Sequence, residues 1–113
     1  MVYLITYDLQ DVKNYDLISE RIEQLGNCIR PLYSVWLVDT ALNILQLHDY
    51  IQASVDSDDL FYITSIGTAG VGRLGHSAHW EWINAKFLPN LALQPVAKVL
   101  KHPGFGRIPV QPR

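Results

Sequence analysis

A carboxylate that closes an otherwise apolar strand is held rigidly and points out of its sheet, where a hard cation can bind it. The segment Val2-Tyr-Leu-Ile-Thr-Tyr-Asp-Leu9 puts Asp8 in that position. One carboxylate is a poor magnesium site by itself. Mg²⁺ nevertheless takes only one or two and leaves its other positions to water and phosphate, so a dimer joining two copies of Asp8 would double the ligand count. The competing role for Asp8 is structural, accepting backbone N–H bonds from the loop that follows. His76-Ser-Ala-His79 is a second constellation, whose spacing can put two imidazoles on one helix face for a transition metal, with Glu81 or Asp39 to complete the site. Set against this are two surface histidines with ordinary polar partners, and a metal- or ligand-sensing module is the functional form of the pair. Arg73, His76, His79 and Trp80 can instead form a nucleic-acid patch, the arginine reaching phosphate and the indole stacking on a base. Large aromatics mostly serve packing, and Trp80 with Trp82 then covers an open sheet face. Asp56, Asp58 and Asp59 can hold calcium or form a solvated turn.

Two further features are weaker. The four glycines from Gly67 to Gly75 lack the Lys-Ser/Thr of a phosphate-binding loop and open no dinucleotide-binding unit, so nucleotide binding is rejected. The single cysteine, Cys28, excludes an internal disulfide and any multi-cysteine metal centre within the chain.

The elements that must position these residues follow from periodicity. Val2 to Leu9 reads as a strand buried on both faces and ending at Asp8. Asn14 or Asp11 caps a helix carrying Leu17, Ile18, Ile22 and Leu25, closed by Gly26. Cys28 to Asp39 reads as two antiparallel strands, the first at an edge because Pro31 cannot donate to a ladder. Thr40 caps a second helix with Ile44, Leu45, His48 and Ile51 on one stripe; His48 is a packed or half-exposed member of it. Leu60 to Ile66 is the fourth strand.

The order β-α-β-β-α-β is that of a ferredoxin-like α+β fold, an antiparallel sheet of order 4-1-3-2 with both helices on one face. Residues 1–67 form this core. Residues 68–113 add a Gly-rich loop, a short helix from Ser77 with Trp80, Ile83 and Phe87 on one side, a turn near Pro95 and a Pro- and Gly-rich end. The extension is expected to pack on the core or on a partner subunit and so cover the remaining sheet face.

The chain has 113 residues, 49% apolar and 18% charged, which suits one domain with its own core and excludes a disordered chain. No export signal is visible at the N-terminus, and the cytoplasm is the expected location. The net charge of −2 hides a division: residues 1–67 hold ten acids against three bases, −7, and residues 68–113 hold six bases against one acid, +5. The basic part can meet phosphate or dock on the acidic body of its own or another subunit.

Tyr3-Leu-Ile-Thr-Tyr-Asp-Leu9, the helix ending at Leu25-Gly26, and Tyr33-Ser-Val-Trp-Leu-Val-Asp39 resemble the CRISPR-associated Cas2 proteins. The segment Trp80-Glu-Trp-Ile83 resembles their Cas2-like, SinR-type relatives. The resemblance covers residues 2–67 well and the rest loosely. It implies a ferredoxin-like homodimer that hydrolyses RNA or DNA phosphodiesters with Mg²⁺ or Mn²⁺, or one that serves as a nucleic-acid-binding subunit. Asp8 matches the family's metal-binding aspartate, and Ser34 matches the serine of its Ser-Val-Phe-type motif near the dimer cleft. The alternative of a different class is a non-catalytic interaction module that docks a protein or nucleic acid.

Overall fold

Alternation of side chains along the first strand decides the layering of the whole molecule. The computed structural model describes residues 1–91, and among them the elements run β1 (Val2–Asp8), α1 (Val12–Glu23), β2 (Cys28–Leu32), β3 (Val35–Asp39), α2 (Ile44–Gln52), β4 (Leu60–Ile66) and α3 (Ser77–Leu91). The turn expected near Pro95 and the tail bases Lys98, Lys101, Arg107 and Arg113 lie outside the described residues. The strands make one antiparallel sheet of order β2-β3-β1-β4, which is 4-1-3-2 read from the other edge.

β1 lies between β3 and β4, with Ile5 opposite both Trp36 and Ile63. Because successive side chains point to opposite faces, Tyr3, Ile5 and Tyr7 enter a core with Trp36 and Val38 of β3, Ile18 and Ile22 of α1, and Leu47 and Ile51 of α2. Val2 and Leu4 face the other way, into a smaller cluster with Leu37, Ile29, Ile66, Ile83, Phe87, Trp80 and Trp82. Helices α1 and α2 therefore share one face, and α3 covers part of the other. The covering role weighed for Trp80 and Trp82 is the one the structure shows.

Polar groups on the first face are satisfied at its margins. The Trp36 indole donates to the Tyr7 hydroxyl at 2.8 Å in a buried contact, and the Tyr3 hydroxyl donates to the Leu42 carbonyl. The Tyr50 hydroxyl donates to the Arg21 carbonyl, and the Arg21 guanidinium lies over the Tyr50 ring, which binds α2 to α1.

The ends of the elements show where sequence cues win or lose. Gly26 follows α1 with φ +96°, a conformation that an L side chain resists and glycine accepts. Pro31 stands inside β2 because that strand is an edge, and the register shifts between Ile29 and Leu32. α2 starts later than Thr40 implies. Asn43 is its cap, accepting from the Gln46 amide while the Gln46 side chain accepts from the Asn43 amide. The Thr40 hydroxyl accepts from Leu42 instead. With that start the buried pair is Leu47 and Ile51, and Leu45 is turned out to 73% exposure.

Candidate functional site

Asp8 is exposed at the last position of β1, opposite Leu60 of β4. It shares its face with Val2, Leu4 and Thr6, but α3 packs only on the far end of that face, around Val2, Leu37 and Ile66. Six steps along the strand, about 20 Å, separate Val2 from Asp8. The near end is left uncovered: Leu60 and Tyr62 are 63% and 65% exposed, and Leu32 at the β2 edge is exposed as well. Tyr62 stands opposite Thr6, and Val35 stands opposite Thr6 from the other side. Asp8 thus ends a rigid central strand on a half-open sheet face.

The structural role weighed for Asp8 belongs to another residue. Among the described residues the Asp8 carboxylate accepts no hydrogen bond; the loop after β1 is fastened by Asp59. One Asp59 oxygen accepts from the Gln10 amide at 2.8 Å; the other accepts from the Asp56 amide at 2.8 Å and from the Asn14 side chain at 3.3 Å. The Asn14 amide also donates to Asp56 at 2.7 Å. Asp59 is buried, and the Gln10 amide foremost, then that of Asp56, holds its carboxyl below the usual range. Asp56, Asp58 and Asp59 do offer ligand atoms within 4.8 Å of one another. The bonds received by Asp59 and Asp56 make the pair a latch between the β1–α1 loop and the α2–β4 turn.

Asp59→Asn is expected to lower the thermal midpoint at pH 7, since an amide nitrogen then faces amide donors. A carboxyl with a depressed folded pKa stabilises above its unfolded pKa of about 3.9 and loses that contribution as pH falls through the folded value. The gap between wild type and variant therefore narrows on acidification below that value, as denaturation at pH 7 and pH 3 will show.

Ser34 occupies the turn between β2 and β3, half-buried. Since Thr6 pairs with Val35, continuing that register puts the end of β1 beside this turn, and Asp8 and Ser34 reach the same end of the sheet. Arg30 braces the turn by donating to the Tyr33 carbonyl at 2.7 Å, with its guanidinium over the Tyr33 and Trp36 rings.

The second set of residues is organised differently. Arg73 is exposed in the segment after β4, and His76 and His79 meet edge to face with ring centroids 5.4 Å apart at the start of α3. His79 Nδ1 is buried with no hydrogen-bond partner, and Trp80 is half-buried against the smaller cluster. The Trp80 indole thus packs on the sheet with part of its surface exposed. Asp39, offered by the sequence as a third ligand for the histidines, accepts from Lys86 Nζ at 2.8 Å, and that contact chiefly holds its carboxyl below the usual range. The His48 ring meets that of Phe61 at a tilt of 42°, and Nδ1 contacts Asp49. Cys28 is half-buried, and burial pushes its thiol up, which suits a packing role.

Leu60 and Tyr62 were not singled out by sequence reasoning, although the period of two in Leu60–Ile66 aligns them with Asp8 and Thr6 once the strands pair. Among the described residues no helix is long and apolar enough to cross a membrane. Neither known protein families nor curated proteins match the chain.

Proposed function

We propose that this protein is a Cas2-like, ferredoxin-like homodimer that binds nucleic acid and hydrolyses its phosphodiesters with Mg²⁺ or Mn²⁺ at Asp8. The observation that carries the reading is an exposed carboxylate with no hydrogen-bond partner among the described residues, at the end of a central strand, on a sheet face left half open. A hard cation that keeps most of its water takes one or two carboxylates, and a homodimer that joins two copies of Asp8 would supply the second. Asp8 would hold the cation, whose chemistry when bound would be Lewis-acid activation of a phosphodiester and of water. Asp8 supplies the anchoring charge, and β1 fixes its direction through pairing on both sides. Ser34, in the neighbouring turn, would donate a hydrogen bond to a phosphate oxygen. Positive charge must offset the −7 of residues 1–67, and the cation and the bases of residues 68–113 provide it.

Titrating Mn²⁺ into the labelled protein tests the placement. The proposal expects paramagnetic broadening centred on Thr6, Asp8 and Leu60, abolished by Asp8→Asn. Broadening centred on Asp56–Asp59 overturns it.

The second reading, a non-catalytic interaction module, is favoured by the exposed apolar residues Leu32, Tyr33, Leu60 and Tyr62 around the same face. It expects nucleic-acid or protein binding that is unchanged by chelation of the metal.

A further inference from the structure

Two imidazoles stand at the start of α3, apart from the residues around Asp8. The docked stripe of that helix is Trp80, Ile83 and Phe87, spaced three and four apart. His76 precedes Trp80 by four positions and His79 precedes Ile83 by four, so both lie where the stripe runs out at the helix end. The His79 amide donates to the His76 carbonyl at 3.1 Å, which fixes the backbone between them. Their rings meet at 89°, with centroids 5.4 Å apart.

Two features of the pair point to a ligand. His79 Nδ1 is buried, and among the described residues it is the one buried side-chain nitrogen or oxygen without a hydrogen-bond partner. Such an atom is costly to leave unpaired, and a cation that takes its lone pair removes the cost. The second feature is the ring spacing. Two imidazoles that share a tetrahedral cation, each nitrogen about 2.0–2.1 Å from it, have centroids roughly 5 Å apart. The two rings already stand at that separation.

We propose that His76 and His79 hold one divalent transition cation of the Zn²⁺ class between their rings, with His79 Nδ1 as the inner ligand. Imidazole nitrogen selects this class over Mg²⁺, Mn²⁺ and Ca²⁺, which take oxygen ligands, so the site differs in chemistry from Asp8. His76 is exposed, and exposed side chains change rotamer within nanoseconds; its ring turns aside, admits the cation to His79 and closes as the second ligand. The two acids that the sequence offers as a third ligand do not join. Asp39 is engaged by Lys86 and the N-terminal amine, and Glu81 is neither three nor four positions from either histidine. The remaining coordination positions fall to water or to a donor from outside the chain, which makes this an open site. The proposal does not rest on the reading of Asp8 as a metal ligand.

Calorimetric titration of Zn²⁺ into the full chain, with excess Mg²⁺ throughout, tests it. One equivalent is expected to bind per chain. Losing even an outer-shell partner of a metal costs about 10- to 100-fold in affinity, so His79→Ala and His76→Ala are each expected to weaken binding at least about 10-fold. His76→Ala changes an exposed residue and keeps the test open if His79→Ala fails to fold, which circular dichroism reports. Nitrogen NMR of the labelled imidazoles is the second measurement, and Zn²⁺ is expected to move the His79 Nδ1 resonance while those of His48 stay in place. Absence of both heat and shift up to about 1 mM Zn²⁺ overturns the proposal. So does binding that survives both variants, or that is lost instead with His48→Ala or His102→Ala. Asp8→Asn is expected to leave the Zn²⁺ titration unchanged, and a loss there also overturns the proposal. Mn²⁺ binding at Asp8 is read separately, so the failure of one site is distinguishable from the failure of the other.

Discussion

Asp8→Asn is expected to cut divalent-metal-dependent cleavage of RNA or DNA by at least about 100-fold, while the thermal midpoint stays at the wild-type value. The substitution keeps the shape of the side chain and removes its charge, and a neutral amide oxygen is a far weaker ligand for Mg²⁺ or Mn²⁺ than a carboxylate. Losing a metal's anchoring ligand costs at least what losing an outer-shell contact costs, which reaches 100-fold. Stability is spared because Asp8 is exposed and no described residue hydrogen-bonds to its carboxylate. Cleavage assayed across a Mg²⁺ and Mn²⁺ series, with chelator controls, decides it. Full activity in the variant removes Asp8 from the mechanism, and undetectable activity in the wild type leaves the interaction-module reading as the better one.

Ile5→Ala is expected to destabilise the fold by about 3–4 kcal/mol. Ile5 is fully buried at the middle of the central strand, between Trp36 and Ile63, under α1 and α2. Its neighbours are fixed by two strand ladders and cannot collapse into the space, so the cavity term adds to the lost transfer energy. Small domains hold only about 5–15 kcal/mol in total, so the loss is a large share of the whole and lowers the thermal midpoint by roughly 15–25 °C. In urea the transition midpoint falls while its slope is unchanged. Leu45→Ala, at 73% exposure, is the control, with an effect within about 0.5 kcal/mol on the isolated chain.

Local signals carried much of the fold. β1 and β4 are runs rich in β-branched and aromatic residues, and their expected limits match the structure. Pro31 marked an edge, Gly26 a helix end and Ser77 a helix start, each because one backbone property admits few alternatives. The start of α2 was misjudged because Thr40 and Asn43 are both competent caps. Only the reciprocal partner, Gln46, three residues after Asn43, distinguishes them. That displacement also exchanged Leu45 for Leu47 as the buried residue.

The site was less legible, for a physical reason. Asp8 stood out because it ends a strand, but its neighbours on the sheet face come from β3 and β4, and strand pairing is invisible in a linear chain. Likewise nothing near Asp59 in sequence announces that it receives the amide of Gln10, 49 positions away. For the Arg73, His76, His79 and Trp80 grouping, a tryptophan that covers a sheet and one that stacks on a base look alike in sequence, and only the docking of α3 shows that Trp80 packs on the sheet.

The Asp59 latch also sets how this protein can drift. Its carboxylate is received by main-chain N–H groups at positions 10 and 56, which every residue but proline supplies. Glutamine at 10 and aspartate at 56 are therefore free, as far as the amide contacts go, to be exchanged for almost anything. Position 59 has no such freedom, because only a side chain of that length and charge reaches both amides at once. The constraint that these amide contacts put on the β1–α1 loop and the α2–β4 turn is thus concentrated in one codon, while the residues that supply the amides can vary around it.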